Sequence, residues 1–510
     1  MKFRTGLFLG TTLFAVGIGL GSKVHYWTHN TYQTVTSAAL AEDIKKLESK
    51  TDNSAETYRL LTLFGDVFER VRANYVEPVS DKDLITNALN GMLTGLDPHS
   101  SYMTEKQFHN MEIQTKGEFG GLGLEVQEDD GHIKVVSPID GTPAARADIK
   151  SGDYIVAIDG KSIDGMTLNT AVDKMRGKPN TQITLTLIRL KTPKPIKVTL
   201  TREIIHIQVI KSALYDRIGY IRISQFNEET EKGMKKAYTK LQEQAKNKLA
   251  GLILDLRNDP GGLLDQAIAV TQDFVKEGAI VSTKARNPKD NQRWNANGYD
   301  ITNGLPIVVL TNGGSASASE IVSGALQDHR RAILLGEKTF GKGSVQSVMP
   351  IPGNGAVRLT IARYYTPSGR SIQGLGITPD IKVQDSYEEP EFNIREADLM
   401  HIIKNEGGNK EKAPTRSDLP AIASSIPSQP PKNWPKFDYK NPSTDFQLQQ
   451  GIKVVRSMAG LPVQKDLSPS TNPQRPSAQN ETHKSLPNAA NENKALTAPL
   501  KTQDKKPQTH

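Results

Sequence analysis

Two short runs hold residue types capable of hydrolytic chemistry. Thr311 to Glu320 reads TNGGSASASE, and Gly336 to Gln346 reads GEKTFGKGSVQ. A serine hydroxyl becomes a nucleophile when a neighbouring base takes its proton, and a lysine amine can be that base once burial or nearby positive charge lowers its pKa. Gly313, Gly314, Ala316 and Ala318 let backbone pass close to a reacting group, and ASEIVSGALQ behind them has helical periodicity. A serine is thereby expected at a helix N-terminus, where free N–H groups and the helix dipole favour a developing oxyanion. Residue types alone leave Ser315, Ser317 and Ser319 as rival nucleophiles, and Lys338 and Lys342 as rival bases. Taken by itself, the first run is also what an ordinary Gly/Ser helix cap looks like.

Other chemistries find less support. The 510 residues include no cysteine, which excludes thiol catalysis, disulfides, cysteine-based metal sites and a lipidated N-terminal Cys. Among the ten histidines the one H-x-x-x-H spacing, His25 to His29, lacks the glutamate that follows the first His in the H-E-x-x-H of a metal hydrolase, so a metal hydrolase is not expected, and no metal, nucleotide or other cofactor is called for. The net charge of +8 is gathered at the ends: residues 1 to 50 hold six Lys/Arg against three Asp/Glu, and residues 461 to 510 hold seven against four. A nucleic-acid reader would concentrate basic charge in its fold, so no nucleic-acid partner is expected.

The elements that must position these residues show in the pattern along the chain. Lys2 and Arg4 precede an apolar stretch from Gly6 to Leu20, the order of a secretory signal, with an A-x-A-like site at Ala39-Leu40-Ala41. Residues 1–41 are therefore expected to be a signal peptide or, since that site lies far downstream, an uncleaved membrane anchor. Residues 42–116 are expected to be helical, with Leu60, Leu61, Phe64, Val67, Phe68 and Val71 at helical spacing and a turn at LDPHSSYM. His99 in that turn is read as a hydrogen-bonded or capping residue and not as a base. From 117 to 190 short β-rich segments alternate with glycines, with a helix near Leu168 to Met175. From 191 to 385 apolar strands (YIRIS, GLILDL, AIVST, PIVVLT, RAILLG) alternate with helices at 226–247, 262–276 and 317–328, the signature of an α/β sheet. Residues 386–460 form an extension with a helix from Asp445 to Met458, and 461–510 are too polar and proline-rich to bury a core, hence expected to be disordered.

The stretch GGLGLEV, GTPAARA and GDYIVAIDG resembles a PDZ domain. That resemblance implies a carboxylate-binding loop at Gly121, Leu122, Gly123 and Leu124, whose N–H groups form a nest for a peptide's C-terminus, with an apolar pocket completed by the helix from Leu168. With LDPHS, LDLRNDPGG, NGGSASASE, GEKTFGKGSVQ and YYTPSGRSIQ in this order, the chain resembles the C-terminal processing peptidases, or tail-specific proteases, from about Phe64 to Asp380. The resemblance implies a crotonase-like α/β catalytic domain with Ser317 as nucleophile, Lys342 as general base and Gln346 orienting the lysine. A fully extended segment would put the side chains of residues 342 and 346 about 13 Å apart, so a bend is expected between them. Ala318 together with Gly261 or Gly262 would supply oxyanion-hole N–H groups, although Asp259 stands where the family often has Asn. Arg176 would either cap the PDZ-like helix or report peptide occupancy through a hydrogen bond to the Lys342/Gln346 region. The expected protein is thus an exported, periplasmic serine endopeptidase, free or anchored in the inner membrane. Its partners would be protein or peptide substrates with free apolar C-termini. An adaptor protein and a homo-oligomer both remain open. The rival class is a catalytically inactive PDZ scaffold or chaperone-like tail binder.

Overall fold

The computed structural model describes residues 37–190, 192–388, 394–405 and 416–463, with side chains from residue 54 onward. The apolar export segment and all but the first three residues of the 461–510 tail lie outside the described residues. Among those described, no helix is long and apolar enough to cross a membrane. The chain divides into two units after Ala88.

In the first unit helix α1 (Ser37–Asn74) carries Leu60, Phe64, Val67 and Val71 at the expected helical spacing, all exposed. Helix α2 (Asp81–Thr94) begins here, with Asp81 and Asp83 in its first turn, where the dipole favours acids, and crosses the boundary.

The second unit continues with strand β1 (Ser101–Met103) and helix α3 (Glu105–Lys116). Thr104 and Gln107 close α3 with a capping box, and Gly117 ends it in the left-handed region at φ 72°. A β-rich module follows: β2 (Glu118–Gly121), β3 (Leu124–Asp129), β4 (His132–Pro138), the one-turn helix α4 (Pro143–Arg146), β5 (Tyr154–Ile158), β6 (Lys161–Ser162), helix α5 (Leu168–Met175), β7 (Gln182–Ile188), β8 (Ile196–Thr201) and β9 (Glu203–His206). Its main sheet runs β3-β4-β5-β7-β8, so β3 is an edge strand. Alternate residues Ile183, Leu185 and Leu187 of β7 are buried with Ile133 and Val135 of β4 and Ala171 and Met175 of α5, the period-two pattern of a strand with one core face. This sheet runs past residue 190, because β8 pairs with β7 along its whole length.

The α/β region begins with β10 (Ile210–Tyr215), β11 (Ile218–Ile223), helix α6 (Thr230–Gln244), β12 (Gly251–Asp255), helix α7 (Leu264–Gln272), β13 (Ala279–Ala285) and β14 (Gln292–Asn295). It ends with β15 (Ile307–Thr311), helix α8 (Ala318–Asp328), β16 (Ile333–Gly336), β17 (Ser344–Pro350), β18 (Ala356–Tyr365), β19 (Ile381–Lys382) and helix α9 (Phe446–Met458). Strands β11, β12, β15, β16 and β19 are parallel in the order β11-β12-β15-β16-β19, and β10 joins antiparallel at the β11 edge. Every residue of β12 and β15 is buried, as parallel strands covered on both faces require. Leu252, Leu254, Ile307 and Val309 face helices α6, α7 and α8, while Ile253, Val308 and Leu310 face α9. The run AIVST, read with the others as part of this sheet, belongs instead to a separate antiparallel sheet, β1-β18-β13-β14, to which β17 adds through β18. An apolar β-branched run marks a strand but not its partner, and the pairing of β13 with β18 joins residues about eighty positions apart.

Candidate active site

Strand β15 delivers the chain to a tight loop, and Ser317 ends that loop as the N-cap of α8. Its φ of 54° and ψ of −112° put a non-glycine residue in the left-handed half of the map, strain that the surrounding fold must hold in place. The three serines of the run are not equivalent. Ser315 and Ser319 are fully buried and donate their hydroxyls to carbonyl oxygens, Ser315 to Leu256 at 2.7 Å and Ser319 to Ala316 at 2.8 Å. Ser317 is half-buried and its hydroxyl donates to no protein acceptor among the described residues.

Glu320, one turn into α8, ties this serine to the lysine loop. Its Oε2 accepts from the Ser317 N–H at 2.8 Å and from the Lys342 N–H at 2.9 Å, so one carboxylate oxygen holds both backbones. Its Oε1 accepts from Gly341 N–H at 2.7 Å and from the Thr339 hydroxyl at 2.5 Å. Burial pushes the Glu320 carboxyl up to about 7, against the pull of the Thr339 hydroxyl and the three backbone donors. The reading from sequence passed over Glu320, although Ser317-Ala-Ser-Glu320 is a capping-box spacing and carried the signal.

Lys342 lies between Gly341, whose φ of 102° turns the chain, and Gly343, where a Cβ would come within 2.3 Å of Gln373 N. Burial first, and then the Arg358 guanidinium, hold the Lys342 amine below the ordinary lysine value, against Glu396, Glu320 and Asp97. No hydrogen bond joins Lys342 Nζ to Ser317 Oγ. Gln346 sits in β17, where the register against β18 shifts between Val345 and Gln346, a bulge of the kind that re-aims a side chain. Its amide nitrogen donates to Ser344 Oγ at 2.8 Å and Thr360 Oγ1 at 3.3 Å. Thr360 in turn donates to Asp97 at 3.1 Å, tying Gln346 to the LDPHS turn.

That turn braces the lysine loop by a second route. His99 Nε2 meets the buried Glu396 carboxylate at 2.8 Å, Gln373 Nε2 donates to Glu396 at 2.7 Å, and Gln373 Oε1 accepts from Gly343 N–H at 2.9 Å. His99 is thus a hydrogen-bonded turn residue. Gln373 closes the YYTPSGRSIQ run, from which no site residue was named, and Glu396 lies in none of the quoted runs, so their part in bracing the lysine loop emerges only from the fold.

Opposite Ser317, the turn after β12 brings Gly261 so close that a Cβ there would lie 2.8 Å from both Ser317 Cβ and Ala318 N. Gly261 N–H donates to Asp259 Oδ1 at 2.8 Å, so this N–H is not available to an oxyanion. Gly262 N–H and Ala318 N–H donate to no protein acceptor among the described residues. Of the two glycines considered, Gly262 is therefore the free donor.

In the β-rich module, Leu122 N–H and Gly123 N–H are likewise without protein acceptors, while the Leu122 and Gly123 carbonyls accept from Ala144 and Ile139. Leu122 is only 3% exposed, so its backbone is what it presents to a ligand. Gly121 pairs with Glu203, Leu124 opens the free-edged strand β3, and Leu168 starts α5 partly buried against the module's core. Arg176 makes no hydrogen bond to Lys342 or Gln346: its guanidinium stacks over the Phe119 ring at 4.6 Å, and its buried Nε has no hydrogen-bond partner. Among the described residues, no group of three or more His, Asp or Glu is arranged to hold a metal ion.

Comparison with known proteins gives three matches along the chain: Peptidase family S41 over residues 217–383, a PDZ domain over 134–189, and the "Activating protease CtpB N-terminal domain" over 18–107. A "Carboxy-terminal-processing protease" of Bartonella bacilliformis is 46% identical over 439 residues, covering 85% of this chain and 96% of that protein. A "Carboxyl-terminal-processing protease" of Synechocystis is 38% identical, covering 69% of this chain and 84% of its own length. Among solved structures, the photosystem II D1 C-terminal processing protease is 30% identical over 63% of this chain and 92% of that one, with a TM-score of 0.37.

Proposed function

From the premise that this chain belongs to peptidase family S41, as a carboxy-terminal processing protease with a PDZ domain, we propose that it cleaves polypeptides through a Ser317/Lys342 dyad and an acyl-enzyme. The observation that carries this reading is the Glu320 carboxylate, which holds the backbones of the only uncommitted serine of the run and of a lysine whose amine is pushed toward neutrality. Ser317 Oγ attacks the scissile carbonyl carbon while Lys342 Nζ takes its proton. The negative charge passes to the carbonyl oxygen, where Ala318 N–H and Gly262 N–H receive it. Collapse breaks the C–N bond and Lys342 returns the proton to the leaving amine; water, deprotonated by the same lysine, then attacks the acyl carbon, the C–O bond to Ser317 breaks, and Lys342 gives the proton back to Ser317 Oγ. Gln346 Oε1 remains to accept from the lysine, since its amide nitrogen is committed to Ser344 and Thr360.

The substrate is a flexible chain with a free apolar C-terminus. Its carboxylate rests on the Leu122 and Gly123 N–H groups and its last residues add as a strand along β3, which leaves an upstream bond to reach Ser317. The PDZ domain gates the reaction, with Arg176 as its reporter. Lys2, Arg4 and the apolar stretch after them support work outside the cytoplasm, with the N-terminus as leader or anchor. Casein turnover by the wild type and by Ser317→Ala tests the central claim. Turnover by the wild type and none by the variant is expected, and equal turnover by both would remove Ser317 as nucleophile.

A further inference from the structure

The turn that carries Gly261 and Gly262 also carries a carboxyl group with no part in the steps above. Asp259 is completely buried. Its backbone carbonyl accepts from Ala316 N–H at 2.9 Å and from Ser319 Oγ at 3.0 Å, so it is clamped to the nucleophile loop on both sides of Ser317. Its Oδ1 accepts from Gly261 N–H at 2.8 Å, and its Oδ2, shut off from solvent, has no partner.

A buried carboxylate needs donors on both oxygens or a cation beside it. Neither is present. Arg222 of β11 is engaged with Asp255 and with the Arg257 carbonyl, and Arg257 with Asp255 and Asp445. Asp255 itself faces Asp259 with like charge, and across Ser317 stand Lys342 and Glu320, which are bound up with each other's loop. A neutral carboxylic acid left with one oxygen unpaired costs far less to bury than an unpaired charge does.

We propose that Asp259 is a positioning residue that acts as a neutral acid: protonated on Oδ2, it holds Gly261 N–H with Oδ1 and so turns the next N–H, that of Gly262, toward the oxyanion. When it ionises, a charge appears behind Gly261, against the place where the tetrahedral oxygen must become negative, and the hole fails. Burial pushes its carboxyl up to about 8. The acid form prevails below that value and the charged form above it, so this group makes turnover fall on the alkaline side while Lys342 makes it rise from the acid side.

The inference rests on the Ser317/Lys342 reading, and the experiment separates the two. The kcat and KM of the full chain on a flexible peptide are measured from about pH 6 to about pH 10, for the wild type, Asp259→Asn and Ser317→Ala. The wild type is expected to give a bell whose alkaline limb falls roughly tenfold per pH unit. Asparagine keeps the Oδ1 acceptor but cannot ionise, so the alkaline limb should vanish and the ratio of kcat at high to neutral pH should rise about tenfold or more, with KM little changed. An alkaline limb that persists at the same pH in Asp259→Asn, or a folded Asp259→Asn protein inactive at every pH, overturns this inference alone. Turnover that survives in Ser317→Ala overturns the dyad and this inference with it. Asp259→Ser, which keeps a small acceptor without a titrating group, carries the same outcomes should the asparagine variant not fold.

Discussion

Four donors converge on Glu320 and none of its lone pairs faces another acceptor, an arrangement that suits a carboxylate and not an amide. Glu320→Gln would turn an NH2 group toward at least one pair of N–H or O–H donors, opening the contact between the serine and lysine loops. A misplacement of about 1 Å at reacting atoms costs on the order of 10²-fold. We therefore expect kcat to fall by roughly that factor with KM and the far-UV spectrum little altered, and an equal rise in KM alone would assign Glu320 to substrate binding. Lys342→Arg should be nearly as damaging as Ser317→Ala, since arginine does not give up its proton and cannot serve as base. In the wild type, the acid limb of turnover should lie below the ordinary lysine range, because burial and Arg358 lower the Lys342 pKa. An acid limb at the usual lysine value would point to another base.

At the scale of elements, helix α9 is held on the far face of the sheet by its apolar face and, at its start, by the Arg257 guanidinium. Arg257 donates to Asp255 at 2.7 and 2.9 Å and to Asp445 at 2.7 and 2.9 Å, and Asp445 also caps α9 by accepting from Leu448 N–H at 3.0 Å. Arg257→Met leaves two buried carboxylates facing each other, and removal of one partner from such a buried set costs about 3–5 kcal/mol. Urea titration should show that loss, and a shift below about 1 kcal/mol would mean that water replaces the guanidinium. The pH dependence has a definite sign. Burial opposes ionisation of Asp255, but Arg257 and Arg222 hold its carboxyl below the ordinary value. Its stabilisation is therefore complete above the usual aspartate range and drains away as pH falls through the lowered one, so acid should narrow the gap between wild type and variant.

The whole molecule joins a PDZ domain to a protease, and Arg176 of the PDZ domain is the proposed reporter between them. Its Nε is buried without a partner while its charge rests on Phe119, so a second arrangement in which it finds an acceptor is energetically open. A short peptide with an apolar free C-terminus, at low concentration, should speed cleavage of a separate reporter, and amidating the peptide should abolish the effect. Arg176→Ala should leave peptide affinity roughly as it was while removing the acceleration. Simple competition between peptide and reporter would make the module a docking site only.

The local sequence determined the elements, because each rests on near neighbours, and it narrowed the candidate nucleophile to three serines and the candidate base to two lysines. Helix periodicity placed α5, α8 and α9 within a residue or two, β-branched runs marked the parallel strands, and small residues around Ser317 announced a tight turn into a helix. The split of the β-rich strands between two sheets, the β17–β18 hairpin, and the engagement of Gly261 N–H by Asp259 were decided by the tertiary structure. So were the partners that hold the lysine loop: Glu396 reaches His99 across 297 residues and Gln373 reaches Gly343 across 30. Hydrogen bonds of that span leave no periodicity in a chain. They come into being only when packing removes water from both partners, and it is the same burial that lowers the pKa of Lys342 and raises those of Glu320 and Asp259.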